Sequence, residues 1–364
     1  MGEKIAVAMS GGVDSLVAAH LLKENGFQVF GVHFITGRER REPGGDGHDS
    51  HPDEIARVAR QMGVELMVVD VREAFDRHVV DYFVRAYAVG ETPNPCLACN
   101  AAIKFGEVLS FAKKQGASRL ATGHYAGVSK DKNGRFHLTK GKDAKKDQSY
   151  FLGFLTQRQL AAACFPLADM TKQRVKEMAA AHGFAPVSKK ESQDVCFIKG
   201  GGYGRFLALQ PGFAPKPGLI ETMNGDVVGR HDGLCFFTVG QRRGINLPGP
   251  TPYYVVELDQ KRNRLKIGSK DDLFVERTGV KQINWINGEP GARFQAKVRL
   301  RYRHDPVPAT IYPSGAAMAR VEFQRPQRAV APGQGAIFYD GPEVLGGGYI
   351  DPAILNPNIL NPAY

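Results

Sequence analysis

The first 125 residues alternate between short unbroken apolar runs and stretches with helical spacing. Residues 5–9 form one such run and end in Ser10-Gly11-Gly12. From 16 to 23 the apolar positions recur at three- and four-residue intervals until Asn25-Gly26 stops them. Further runs cover 28–34, 65–71 and 118–122, with helical periodicity over 52–62, 74–88 and 103–114. Continuous runs read as strands buried on both faces. Their alternation with amphipathic helices predicts a parallel sheet with crossover helices. The expected fold class is therefore α/β, a doubly wound parallel sheet. Between 92 and 100, Pro93 and Pro95 predict an irregular loop. The polar stretch 37–52 holds His48, Asp49 and His51, but nothing nearby completes a metal site, so it reads as a solvated loop.

Beyond residue 140 the pattern changes. Lysine and arginine are frequent over 140–190, where 156–163 and 172–182 have helical spacing, and Gly200-Gly201-Gly202 marks a join. After it, β-type runs at 253–258, 264–268, 294–302, 309–312, 319–323 and 335–339 are separated by turn residues. Short strands at this spacing predict an antiparallel barrel. The expected domains are 1–200, with a basic helical portion at about 140–190, then a small β-rich domain at 201–272, then the barrel at 273–364.

Composition narrows the partners. Of 364 residues, 43% are hydrophobic and 23% charged, which suits a folded chain of two or three domains. The formal net charge of +11 favours a polyanionic partner, nucleic acid before membrane. Five cysteines in so long a chain form no disulfide framework and point to the reducing cytoplasm. No apolar run reaches the roughly 20 residues of a membrane span, and 1–9 reads as a first strand rather than a leader.

Ser10-Gly11-Gly12-Val13-Asp14-Ser15 lies between a strand and a helix. Glycines allow a tight turn and close approach of a ligand, and free N–H groups at a helix start attract an anion. Ser10 and Ser15 add hydroxyl donors. Asp14 cannot stabilise phosphate directly, so it is the expected magnesium ligand. The Gly-Lys-Ser/Thr ending of a Walker loop is missing. The segment resembles the loop of the PP-loop ATP pyrophosphatases, adenine-nucleotide hydrolase-like proteins that cleave ATP between the α- and β-phosphates. That resemblance implies ATP along Ala8, Met9, Ser10, Gly11, Gly12, Val13, Asp14 and Ser15.

Two thiols stand out. Cys99 precedes the helical spacing that begins at 103, and a helix N-terminus favours the thiolate. Cys196 lies in a polar segment beside Lys189 and Lys190, where positive charge acts in the same sense. Cys164 and Cys235 sit beside phenylalanines and read as buried hydrophobes.

With Pro93-Asn94-Pro95, Cys99-Asn100, 121–125, 146–152, 238–244, Arg301-Tyr302 and Pro332-Gly333-Gln334, the chain resembles the tRNA-specific 2-thiouridylases (the MnmA/TrmU family) over residues 4–350. The resemblance implies ATP-dependent 2-thiolation of the wobble uridine in tRNAs for Lys, Glu and Gln, through adenylation of the C2 oxygen. It implies a persulfide on Cys196 and Cys99 as partner nucleophile. Asn94, Pro95 and Cys96 would face the target base, while His124, Lys146, Asp147, Gln148, Arg301, Tyr302 and Gln334 would touch tRNA. Phe34 and Gly123 would line the nucleotide site. A sulfur-relay protein or cysteine desulfurase would supply sulfur, to a monomer by default. Arg299, Arg301, Arg303, Arg320, Arg325 and Arg328 form a basic stripe able to track a phosphate backbone.

One departure matters. The family commonly has Asp where this chain has Cys96. Cys96, Cys99 and Cys196 would also suit a 4Fe-4S cluster with one open iron, so sequence leaves persulfide and cluster routes both open. The competing functions are another PP-loop ligase or amidotransferase acting on a small molecule, and a non-catalytic RNA-binding protein.

Overall fold

A computed structural model describes residues 2–38, 52–187, 195–198, 202–249, 251–315 and 317–355. The candidate metal residues His48, Asp49 and His51 lie outside the described residues, as do Lys189 and Lys190. The chain divides into two compact units.

The first unit comprises Met1–Val79, Cys96–Phe197 and Gly341–Leu345. Its sheet is wholly parallel, in the order β3-β2-β1-β4-β7. The strands are β1 (Lys4–Ala8), β2 (Gln28–Ile35), β3 (Glu65–Asp70), β4 (Arg119–Ala121) and β7 (Ala163–Cys164). Helices α1 (Val13–Glu24) and α2 (Pro52–Gln61) cover one face, where Ile5, Val7, Met9, Leu16, Ala19, Ile55 and Ala59 form a buried core. The chain runs outward from β1 to β3 and returns to β4 on the other side of β1. Strand order therefore reverses between β1 and β4, and in open α/β sheets ligands bind beyond the strand ends at that point.

The hairpin β5 (Ala126–Lys130) and β6 (Phe136–Lys140) was not legible in the sequence pattern. Its turn is set by Asp131, whose Oδ1 accepts the backbone N–H groups of Asn133 and Arg135 at 2.8 Å each. Strand β6 pairs with Glu343 and Val344.

Helix formation around Cys99 differs from expectation. The helix begins at Pro95 instead of after Cys99, continues π-helically over Cys99–Val108 and ends at Lys114. Proline is barred from a helix interior but tolerated in the first turn, where its missing N–H has no intrahelical partner to lose. Pro95 therefore opens the helix, and Cys99 lies one turn inside it.

The second unit comprises Val80–Pro95, Ile198–Asp340 and Gly346–Tyr364. It holds a four-stranded sheet of β8 (Gly218–Thr222), β9 (Val227–His231), β10 (Tyr254–Asp259) and β11 (Arg264–Gly268) over a core of Ile220, Leu234, Val255, Leu265 and Ile267. It also holds a closed antiparallel barrel of β12 (Phe274–Trp285), β13 (Phe294–Arg299), β14 (Val307–Pro313), β15 (Ala319–Arg328), β16 (Gly335–Asp340) and β17 (Glu343–Ile350). β12 closes it by pairing with β15 along its first half and with β17 along its second. Buried Val298, Ala309, Ile311, Val321 and Phe338 alternate with more exposed neighbours, the period-two pattern of a sheet with one face inward.

His137 on β6 contacts Glu343 at 2.7 Å and Asp131 at 3.3 Å. The Glu343 hydrogen bond, with help from Asp131 and against burial, raises its pKa above the ordinary 6.5. A raised folded-state pKa gives stability that is complete below the unfolded value and fades as pH rises through the folded value. His137→Gln is expected to lower the melting temperature at about pH 6 and to match the unaltered protein at about pH 9. An equal deficit at both pH values would remove the charge-based account.

Candidate active site

Strand β1 ends in buried Ala8 and Met9, whose N–H donates to Val32 of β2 at 2.9 Å. Gly11 then takes φ +77°, a left-handed conformation that favours glycine. Gly12 caps α1 without any side-chain hydrogen bond, so the first-turn amides of Val13 and Asp14 remain directed at an anion. The Ser15 hydroxyl donates back to Gly12 O at 2.9 Å and is buried, whereas Ser10 is exposed. Ser10 is thus the hydroxyl available to a ligand.

The turn after β4 meets this loop. A Cβ at Gly123 would lie 2.8 Å from the Asp14 carbonyl carbon, 2.9 Å from Asp14 Cβ and 3.0 Å from Ser15 N. Only glycine permits backbone to lie against backbone here. Phe34 follows His33 at the end of β2, with the two rings 6.5 Å apart. His33 Nδ1 bonds Met9 O at 3.0 Å, while its buried Nε2 has no partner.

Asp14 does not fit the expected magnesium role. Lys172 Nζ lies 2.7 Å from both carboxylate oxygens, and the Tyr125 hydroxyl donates to Oδ1 at 2.7 Å. The carboxylate already faces a cation, and no step of the chemistry is derived through a metal at this residue.

The thiols lie in the same unit. Cys99 is half-buried on the π-helical stretch, and Cys96 is exposed one turn earlier. Cys196 is exposed beside buried Phe197, whose ring sits edge-on to Phe75 at 5.7 Å. Burial pushes the Cys99 thiol up to about 12, Lys104 pulls against this, and charge on Cys196 or Cys96 would add to the rise. Burial also raises Cys96, again opposed by Lys104. The sequence expectation of a thiolate favoured by a helix start is thereby reversed. Cys99 sits inside the helix among protein atoms, where desolvation outweighs the dipole. Among the described residues no group of three or more His, Cys, Asp or Glu side chains is placed to hold a metal ion. The cysteine trio therefore gains no support as cluster ligands.

Lys104 escaped the sequence reading. It lies five residues after Cys99, and i→i+5 bonding stacks residues five apart. Its one available signal was a lysine between buried Ile103 and Phe105. Asn100 was quoted only as motif: its Nδ2 donates to Phe151 O at 3.1 Å, and its buried Oδ1 has no partner.

Several residues expected to touch tRNA have internal duties. His124 is buried against Thr122 Oγ1 at 2.7 Å and held neutral, well below the histidine range, by burial and then by Lys104. Asp147 is buried and accepts from Gly141 N and Ser149 N at 3.3 and 3.1 Å. Gln148 brackets Tyr125, donating N–H to its carbonyl at 2.9 Å and accepting its N–H at 3.1 Å. Lys146, half-buried, remains the charged member of that trio nearest to solvent.

In the second unit, Gln334 Nε2 donates to Thr92 O at 2.8 Å, fixing the strand of chain that leads to Asn94 and Pro95. Arg301 and Tyr302 are half-buried in the turn after β13, where Arg299 lies over the Tyr302 ring at 5.4 Å. Of the arginine stripe, Arg303, Arg325 and Arg328 are exposed, while Arg320 pairs with Glu322 at 3.3 Å. Among the described residues no helix is long and apolar enough to cross a membrane.

Comparison with known proteins adds the family. A profile described as the tRNA methyl transferase HUP domain matches residues 3–200. Two others, a PRC-barrel domain and an aminomethyltransferase β-barrel domain, match 207–269 and 275–350. The chain is 50% identical to a tRNA-specific 2-thiouridylase MnmA of Desulfosudis oleivorans, over 95% of this chain and 94% of that one. It is 42% identical to a protein of the same name from Geotalea uraniireducens, over 97% and 96%, and 43% to one from Geobacter metallireducens, over 97% and 98%.

Gly123→Ala should force the two loops apart and destabilise the protein by about 1–3 kcal/mol, read from urea unfolding. Unchanged stability and unchanged ATP affinity would contradict the close approach. Alkylation of Cys99 by iodoacetamide, followed by peptide mass, should rise about tenfold per pH unit from near 7 to beyond 9. A plateau below about pH 9 would mean that Lys104 outweighs burial.

Proposed function

This chain belongs to the tRNA-specific 2-thiouridylase family, and from that membership we propose that it replaces the C2 oxygen of the wobble uridine in tRNAs for Lys, Glu and Gln with sulfur. ATP serves as adenylating substrate at the loop 8–15. The uridine C2 oxygen attacks the α-phosphate and pyrophosphate leaves, which converts a poor leaving group into AMP. The terminal sulfur of a Cys196 persulfide then attacks C2, and AMP departs. Cys99 attacks the Cys196 sulfur, the C2-bound sulfur leaves with its electron pair as the thiocarbonyl, and a Cys99–Cys196 disulfide remains for a thiol reductant. A cysteine desulfurase or sulfur-relay protein reloads Cys196. The enzyme works as a cytoplasmic monomer, and magnesium arrives with the nucleotide.

The observation that carries this reading is the presence of Cys99, Cys196 and the phosphate loop in one compact unit, with the two thiols near enough to feel each other's charge. Methyl transfer, the wording attached to the profiles, needs neither adenylation nor a thiol pair. A small-molecule ligase of the same loop class would not need the thiols either. The cluster route rests on Cys96 alone as the added ligand.

The test supplies ATP, tRNA and a persulfide donor, and measures pyrophosphate and thiolated tRNA by mercury-gel shift. Pyrophosphate should depend on tRNA, and Cys196→Ser should lose thiolation while still releasing pyrophosphate. Wild-type thiolation by Cys196→Ser would sink the relay. Iron and sulfide in anaerobically purified protein, lost together with activity in Cys96→Ala, would transfer the reaction to the cluster.

A further inference from the structure

Asp14 poses an electrostatic problem. It stands in the first turn of α1, at the helix end whose amides would receive phosphate, and a carboxylate there repels the anion that the helix attracts. Lys172 resolves it. The lysine side chain is only 10% exposed and meets both Asp14 oxygens at 2.7 Å, so the pair is neutral where it faces the loop.

Lys172 is itself tightly held. It is the first residue of α3 (Lys172–Ala181), whose N-cap Thr171 accepts from Arg174 N. The Lys172 N–H, one of the free donors of that helix start, goes to Asp143 Oδ2 at 2.9 Å. Asp143 Oδ1 takes the N–H of Lys145 at 3.1 Å, so the carboxylate joins α3 to the segment 143–148. From the other end of that segment, Gln148 brackets Tyr125, whose hydroxyl returns to Asp14. The result is a closed circuit of Asp14, Lys172, Asp143, Gln148 and Tyr125. It stands on the packed interface of α1 and α3, where Val17, Ala18, Tyr125, Val175 and Ala179 are buried together.

We propose that Lys172 is a positioning residue of the nucleotide site, cancelling the charge of Asp14 so that the loop accepts ATP, and that Asp143 ties this clasp to the segment 143–148 so that tRNA held there strengthens ATP binding. The proposal rests on the reading of 8–15 as the ATP loop and of Lys146 and Gln148 as tRNA contacts. It assigns Asp14 to a lysine instead of to a metal.

The test measures equilibrium binding of a non-hydrolysable ATP analogue by the full chain, with and without tRNA, alongside thermal melting. Lys172→Met leaves Asp14 uncompensated and should weaken the analogue by about tenfold or more. Asp14→Asn combined with Lys172→Met restores neutrality and should recover affinity to within about threefold of the unaltered protein. Lys172→Arg should retain binding and controls for folding. Asp143→Ala should bind the analogue normally without tRNA but lose the strengthening that tRNA brings. A double variant as weak as Lys172→Met would overturn the neutralising role and give Lys172 a direct phosphate contact. Undiminished binding by Lys172→Met would overturn the clasp while leaving the ATP reading intact. A tRNA effect that survives in Asp143→Ala would overturn the tie to 143–148. Failure of the unaltered protein to bind the analogue would remove the ATP reading, and the clasp's role with it.

Discussion

The close approach of two backbones at Gly123 is the constraint on which the first unit depends. Strand order reverses between β1 and β4, so their following loops emerge side by side, and the space between them does not admit a methyl group. The start of α1 is thereby fixed against the turn that leads to His124 and Tyr125. Tyr125 carries the contact onward to Asp14, and Gln148 carries it to the basic segment. The phosphate loop and the region that the family uses for RNA form one hydrogen-bonded structure inside a single unit.

A second constraint opposes the chemistry. A thiol is useful as a thiolate, yet Cys99 lies where burial favours the neutral form. The resting thiol is protected from stray oxidants and alkylating agents by the desolvation that also slows it. Lys104 supplies the one named positive influence acting on Cys96, Cys99 and His124 alike. His124, neutral and bonded to Thr122, adds a rigid wall to the site without adding charge.

Much of the architecture was legible from periodicity. Buried parallel strands are continuous apolar runs, and β1, β2, β3 and α1 were placed to within a residue or a few at their ends. The hairpin of β5 and β6 was missed because 126–140 is polar and half-exposed, with no alternation strong enough to mark a strand. The helix over Pro95 was missed because proline was weighed as a breaker, not as a first-turn residue. The loop at Ser10 to Ser15 could be read because glycine and hydroxyl spacing is itself the chemistry. The fates of Asp14, Asp147, Gln148 and Gln334 could not, because each is decided by a partner 6 to 242 positions away in the chain. A polar residue's type shows what it can bond, and only the fold shows whether that capacity is already used.

The π-helical stretch over Cys99–Val108 has a consequence for how this chain can change over evolutionary time. A wide turn of this kind accommodates an extra residue without breaking the helix. Deleting one residue between Cys99 and Val108 would let the stretch relax to ordinary α geometry. It would also rotate Cys99 by about 100° relative to everything downstream, the angle of one residue at 3.6 per turn. Loops elsewhere absorb changes in length with little effect. This helix instead converts length into orientation, so its residue count is fixed by where the sulfur must point.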